Sequence, residues 1–433
     1  MRAKIFLLAA VCFFSVNARA ELGSLFGMGP LSGGLGGTSL FQGRQSPYQT
    51  LNAPASLGLI HQVQVDLSAQ YFDPKLLPFG TVTLNSSGTL GTFDTSGVLS
   101  GGGSLIGVAI PFGRERPLTV GAVIYMPFST LIRISGQPVD HPFYPLYTDV
   151  ARNFFFSVGA GYEFVDGWAF GVNLRSTTKS VANYTLRTSN SVNYSASVVE
   201  GKSESRPSFS LLYDHERATK GEGTPYTLGL MYRAQAGLET KLIADVTTFV
   251  PIEGSITSMP VYTPAEWALL YSGRVGEHFT LAADFAWAKW SKYVSPYGSG
   301  NINTYLVGDL RREANFKDIP VGRFGVDYST PQNGWLRKLS YRAGYSYHPS
   351  PVPDQTQDSN FVDNNRHSFT AGLGTAFENF LREHDFIDLD LFFQYNWLVR
   401  RQVRKESSTN VGAPGYVTGG KIFVYGLGAS FKF

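Results

Sequence analysis

Between Gln62 and Tyr71 the chain alternates without interruption: Val63, Val65, Leu67, Ala69 and Tyr71 are apolar, while Gln62, Gln64, Asp66, Ser68 and Gln70 are polar. A period of two describes a strand with one apolar face and one wet face. The pattern returns near the other end, where Ile387, Leu389, Leu391, Phe393, Tyr395 and Trp397 alternate with Phe386, Asp388, Asp390, Phe392, Gln394 and Asn396. A soluble β-sandwich alternates in the same way, so the period alone leaves two architectures open. The spacing of the strands separates them.

Strands are predicted at 60–72, 101–112, 118–134, 152–165, 168–188, 206–213, 225–250, 264–275, 279–294, 318–330, 338–349, 365–378, 385–400 and 418–433. Connections after odd strands are mostly long (73–100, 135–151, 401–417), and those after even strands are mostly short (Gly113 to Pro117, Asp166 with Gly167). Tight periplasmic turns opposite long external loops are the asymmetry of outer-membrane barrels. No apolar run after the leader is long enough for a transmembrane helix, and without helices only a closed barrel satisfies its backbone in a bilayer. In the last strand Tyr425, Leu427, Ala429, Phe431 and the terminal Phe433 are apolar at alternate positions. That ending looks like the signal read by the barrel assembly machinery. The expected fold is therefore all-β: a transmembrane antiparallel β-barrel of about fourteen strands spanning residues 60–433.

The first twenty residues read as a cleaved signal peptide. Arg2 and Lys4 precede a predominantly apolar run from Ile5 to Val16, and a small-x-small site follows at Ala18, Arg19 and Ala20. The run falls short of the roughly 18 to 20 apolar residues of a spanning helix. Cleavage after Ala20 removes three bases and no acid, which takes the formal charge from +3 to zero. It also removes Cys12, the only cysteine, so no disulfide is available to the mature chain. Neither nucleic acid nor an acidic partner is implied.

Residues 21–59 lack the strand pattern. Between Leu22 and Leu59 there are nine glycines and neither Asp nor Glu. Glycine at that density allows tight turns and close packing, which suits a plug inside the barrel; a periplasmic arm is the other possibility. Charge checks the register of the wall, because Arg on the lipid face at mid-bilayer costs roughly 2–4 kcal/mol. Arg342 alternates with Tyr341, Ala343, Tyr345 and Tyr347, which turns it into the lumen, and Arg323 and Asp327 are expected to face inward as well.

At this point the chain resembles the long-chain fatty-acid transporter family, the FadL and TodX type of outer-membrane channel. GMGPLSGGLGGTSLFQGRQSPYQTLNAPASLGL is similar to the family's glycine-rich hatch with its Asn-Pro-Ala motif, here Asn52, Pro54 and Ala55 with Ala53 inserted. The acidic pair usual before that motif is replaced around Pro47 and Tyr48. VGAVIYMPFSTL resembles the third strand, where Pro127 and Phe128 match a Pro-Phe pair that accompanies a kink. TPAEWALLYSGRVGEHFTLAADFAWAKWSKY resembles two paired strands, with Asp284, Trp290 and Ser291 at matching positions. Arg342 to Tyr345, Ser350 to Pro353, and Asp363, Asn364, Arg366 and His367 follow in the family's order.

The resemblance implies passive uptake of a hydrophobic or amphipathic small molecule such as a long-chain fatty acid or hydrocarbon. The ligand would be captured at external loops, pass through the lumen and leave sideways through a kinked wall into the bilayer. Asn52, Pro54, Ala55, Pro127 and Phe128 are then the hatch and gate candidates. Capture candidates are the apolar loop residues Leu76, Leu77, Phe79, Phe143, Tyr144, Leu146 and Tyr147, which are as readily loop packing. Arg342 and Arg323 are candidates for pairing a ligand carboxylate, or for pairing inward acids such as Asp327. Two other readings stay open: a structural or secretion-scaffold barrel of the same fold, and a general porin, against which the glycine-rich segment counts. An enzyme is not expected, because the seven histidines are scattered and no nucleophile-elbow spacing accompanies them. No cofactor or metal is expected either, since neither ligand spacing nor a Gly-Lys-Ser/Thr loop is present.

Overall fold

The computed structural model describes residues 25–84, 88–93, 98–113, 115–129, 142–147, 154–176, 181–187, 194–202, 205–246, 252–293, 314–378 and 386–433. The leader read from residues 1–20 lies outside them, as does most of the predicted loop 135–151. Fourteen strands form a closed barrel. They are β1 (Gln64–Leu76), β2 (Gly101–Phe112), β3 (Leu118–Pro127), β4 (Phe155–Val165), β5 (Trp168–Ser176), β6 (Ser205–Asp214) and β7 (Tyr226–Arg233). The second half comprises β8 (Ala265–Val275), β9 (Phe279–Lys289), β10 (Ile319–Pro331), β11 (Leu336–His348), β12 (Arg366–Glu378), β13 (Phe386–Arg404) and β14 (Gly415–Lys432). Each strand pairs with its sequence neighbours, and β1 closes on β14 from Gln64 opposite Lys432 to Leu76 opposite Gly420. Closure removes every sheet edge from the wall.

The two faces divide as the alternation requires. Leu67, Phe170, Leu269, Phe285, Leu373, Leu391 and Leu427 are exposed on the outer face, where lipid takes the place of water. Gln64, Asp66, Ser68 and Gln70 of β1, and Asp388, Asp390, Gln394 and Asn396 of β13, are buried toward the lumen. Arg342 is inward and buried while Tyr341 and Tyr345 are exposed outside, so the register inferred from charge holds.

Two predicted strands are divided. The stretches predicted at 168–188 and 225–250 leave the wall after Ser176 and Arg233. Strands 181–187, 194–202, 236–246 and 252–263 form a separate four-stranded sheet on the long-loop side. A sheet outside the membrane alternates like a sheet within it, so periodicity could not mark the boundary. The predicted loop 73–100 similarly contains a hairpin of Gly80–Thr83 with Leu90–Phe93.

Candidate functional site

The lumen is filled from the short-turn side by residues 25–60. A single helical stretch, Gly29–Gly34, begins with Pro30 and is wholly buried. Two 3-10 turns follow, Pro47–Thr50 and Pro54–Leu59. Ser46 caps the first of these in a reciprocal box with Gln49, which satisfies backbone donors that no strand can reach. Glycine is required at Gly36, whose φ is +71° and where a Cβ would fall 2.6 Å from the Phe324 carbonyl oxygen. Wall glycines match it from the other side. A Cβ on Gly171 would lie 2.2 Å from the Ala55 nitrogen, so Pro54 and Ala55 rest directly on β5.

This hatch is tied to the wall around its circumference. The Ala55 N–H donates to Ser210 Oγ at 2.8 Å, Ser39 Oγ to Asp284 Oδ2 at 2.8 Å, and the Gly36 N–H to Thr370 Oγ1 at 3.0 Å. Gln394 Nε2 donates to the carbonyl oxygen of Gly33 at 2.9 Å. The strongest tie is ionic. Arg342, with no side-chain exposure, donates from Nε to Asp327 at 2.9 Å and from Nη1 to Asp390 at 2.6 Å. Arg44 of the hatch pairs with the same Asp390 and lies 3.4 Å from Asp388, which in turn bonds Lys432 at 3.1 Å. Three carboxylates and three cations thus form one chain of pairs between β10, β11, β13, β14 and the hatch. Arg342 serves that chain, below the helical stretch.

Above the hatch a chamber opens, lined by Arg233, Arg323, Arg366, Glu266, His348 and Asp363 among others. Leu25 forms part of its floor, and its carbonyl accepts a 2.7 Å hydrogen bond from Arg366 Nη2. The Arg366 guanidinium also lies 4.7 Å from the centre of the Phe26 ring. Arg233 pairs with Glu266 at 3.0 Å and stands 3.5 Å from Asn52 Oδ1. Arg323 faces Asp284 across the β9–β10 ladder. In the loop between β11 and β12, burial pushes the Asp363 carboxyl up to about 6 against the pull of Arg366 and Arg401.

Aromatic side chains close the chamber on the long-loop side. Phe79 and Tyr144, from two separate predicted capture stretches, are 5.7 Å apart and stacked, and Phe79 meets Tyr416 edge-on at 5.6 Å. Phe143 packs on Phe361 at 5.5 Å, and Tyr144 on Tyr147 at 6.0 Å. Leu146 and Tyr147 line the chamber itself. Leu76 packs against this roof, whereas Leu77 is exposed.

Pro127 ends β3 with its register partner Gly103 on β2, and the Phe128 N–H donates to the Gly102 carbonyl at 2.8 Å. Backbone donors alternate in direction along a strand, so the donor that Pro127 lacks would have pointed toward β4. Among the described residues the β3–β4 ladder stops one step earlier, at Tyr125 opposite Phe155, whose rings stack at 5.5 Å. Phe128 projects outward and is 59% exposed, which places its ring at the lipid side of this seam.

Residues 151–433 match the sequence model of the outer membrane protein transport protein family (OMPP1/FadL/TodX). The chain belongs to this family. The family transports hydrophobic compounds across the outer membrane, so its barrel is a channel and lies in that membrane. A long-chain fatty acid transport protein of Escherichia coli O6:H1 is 22% identical over 176 residues, covering 41% of this chain and 36% of that protein. Among solved structures, a Pseudomonas aeruginosa FadL homologue shares the fold with a TM-score of 0.61, 15% identity, and coverage of 97% and 99% of the two chains. The Pseudomonas putida toluene transporter TodX does so at 0.51, with 14% identity over 94% of this chain and 99% of that one.

Within this FadL/TodX-type channel the anticipated residues fall in three places. Asn52, Pro54 and Ala55 lie in the hatch, Arg323 in the chamber, and Phe79, Phe143 and Tyr144 in the roof. Arg342 lies away from the chamber. Arg233 was not anticipated, although it occupies an inward position of β7 two residues after Met231, where alternation could have identified it. Arg366 was visible in the sequence only as part of a motif; its contact with Leu25 joins residues 341 positions apart, which no local pattern reveals.

Proposed function

We propose that this channel takes up hydrophobic or amphipathic compounds such as long-chain fatty acids without an energy source. The ligand is captured at the external loops, passes under the aromatic roof into the chamber, and leaves sideways at the β3–β4 seam beside Pro127. The arrangement of an apolar roof above a chamber whose floor is a tied hatch carries this reading. A general porin needs an open polar lumen, and here residues 25–60 occupy it. A scaffold barrel has no use for a buried chamber lined by three arginines. The proposal includes export by a cleaved leader at residues 1–20 and insertion by the barrel assembly machinery through the final strand. Uptake by Pro127→Ala tests the exit. The restored N–H lets the seam zip further, so fatty-acid uptake slows severalfold while binding and folding are retained; wild-type uptake would remove Pro127 from the gate.

A further inference from the structure

The outer face of the barrel has one row where the apolar pattern gives way to cations. Lys75 of β1 and Lys421 of β14 are directly opposite each other in the ladder, both exposed. Like charges so placed are unfavourable unless an anion lies between or beside them. Arg400, also exposed, sits at the bulge that separates Leu398 from Arg401 on the adjoining strand β13. Asp73 lies 3.0 Å from the Lys75 ammonium, and Lys421 reaches over the Tyr395 ring at 5.7 Å. Among the described residues these outward positions therefore combine three cations with one carboxylate.

The height of this row identifies what it meets. One step toward the bilayer centre, Tyr71 of β1 stacks on Tyr425 of β14 at 5.6 Å, and Tyr395 packs on Phe423 at 5.7 Å. Trp397 is the β13 partner of Lys421 and is 46% exposed. Tyr and Trp in a ring mark the membrane–water interface of a barrel. Below them the outer face is Leu67, Leu389, Leu391 and Leu427. The cations thus stand on the long-loop side of the aromatic girdle, at headgroup level in the external leaflet.

We propose that Lys75, Lys421 and Arg400 form a binding site for a phosphorylated lipid of the external leaflet. Its phosphate bridges the two opposed ammonium groups and takes paired hydrogen bonds from the Arg400 guanidinium. Its acyl chains run down the wall over Tyr71, Tyr425 and Leu427. This site lies outside the lumen and does not depend on what the channel carries.

The test uses the full-length barrel purified in a neutral detergent and then incubated with lipid A, with dephosphorylated lipid A, or with inorganic phosphate. Retained lipid is counted by native mass spectrometry, and the thermal midpoint is followed in parallel. Wild type retains lipid A and gains several degrees, while dephosphorylated lipid A and phosphate give neither effect. Each cation removed, as in Lys75→Gln and Lys421→Gln, weakens retention about fivefold. In detergent alone the same variants are as stable as wild type or more so, because a like-charge pair has been dissolved. Equal retention of lipid A with and without its phosphates would overturn the proposal whether or not the variants fold. Displacement of the lipid by inorganic phosphate would reassign the row to a small-anion site.

Discussion

Replacing Arg342 by methionine should damage the seat of the hatch and leave ligand affinity nearly unchanged. The side chain is fully buried and holds two carboxylates, Asp327 at 2.9 Å and Asp390 at 2.6 Å. Removing one partner from a buried pair costs about 3–5 kcal/mol, because the remaining charge is uncompensated. The two losses do not add, since Asp390 keeps Arg44 while Asp327 keeps only the Ser329 hydroxyl. A total of about 3–5 kcal/mol is therefore expected, dominated by Asp327. Adding Asp327→Asn to the variant should recover about 1–3 kcal/mol, because no unpaired carboxylate is then left on β10. Urea unfolding in vesicles, followed by tryptophan fluorescence, measures both numbers, and equilibrium binding of a labelled fatty acid is read alongside. A loss below about 1 kcal/mol would show the network to be solvated. Unchanged stability with a tenfold weaker fatty acid would return Arg342 to the ligand site.

Three further outcomes follow from the same geometry. Gly171→Ala should loosen the hatch, at a cost of about 1–3 kcal/mol, because its new methyl meets the backbone of Pro54 and Ala55; planar-bilayer conductance for small ions then rises, while Gly322→Ala, which has open space, leaves it unchanged. The Asp363 carboxyl is held up to about 6 by burial, above its unfolded value, so the loop is most stable below pH 4 and loses stability as pH rises through 6. That change amounts to about 3 kcal/mol and should vanish in Asp363→Asn; the same pH profile of the thermal midpoint in both proteins would contradict it. Asn52→Leu removes the hatch-side acceptor facing Arg233 and should slow fatty-acid uptake without unfolding the barrel, as judged by heat-modifiable mobility on gels.

The wall was legible because one physical constraint repeats at every strand. A residue that faces lipid must be apolar, its neighbours face the lumen, and the resulting period survives uncertainty of several residues at each end. The same regularity misled at Ser176 and Arg233, where strands continue outside the bilayer under an unchanged pattern. The hatch was legible as a composition, through its glycines and its lack of Asp and Glu, but its path was not. Gly36 against Phe324, Ser39 against Asp284 and Arg44 against Asp390 are contacts across hundreds of residues, fixed by packing inside a closed wall. The roof shows the same limit. Phe79 and Tyr144 each read as apolar loop residues, and only the closed barrel brings their rings together.

The account rests most directly on what crosses the wall. Purified barrel in outer-membrane-like vesicles, offered a labelled long-chain fatty acid and a polar solute of similar size, should take up the fatty acid saturably and exclude the polar solute. Uptake of the polar solute, or of neither compound, would contradict it.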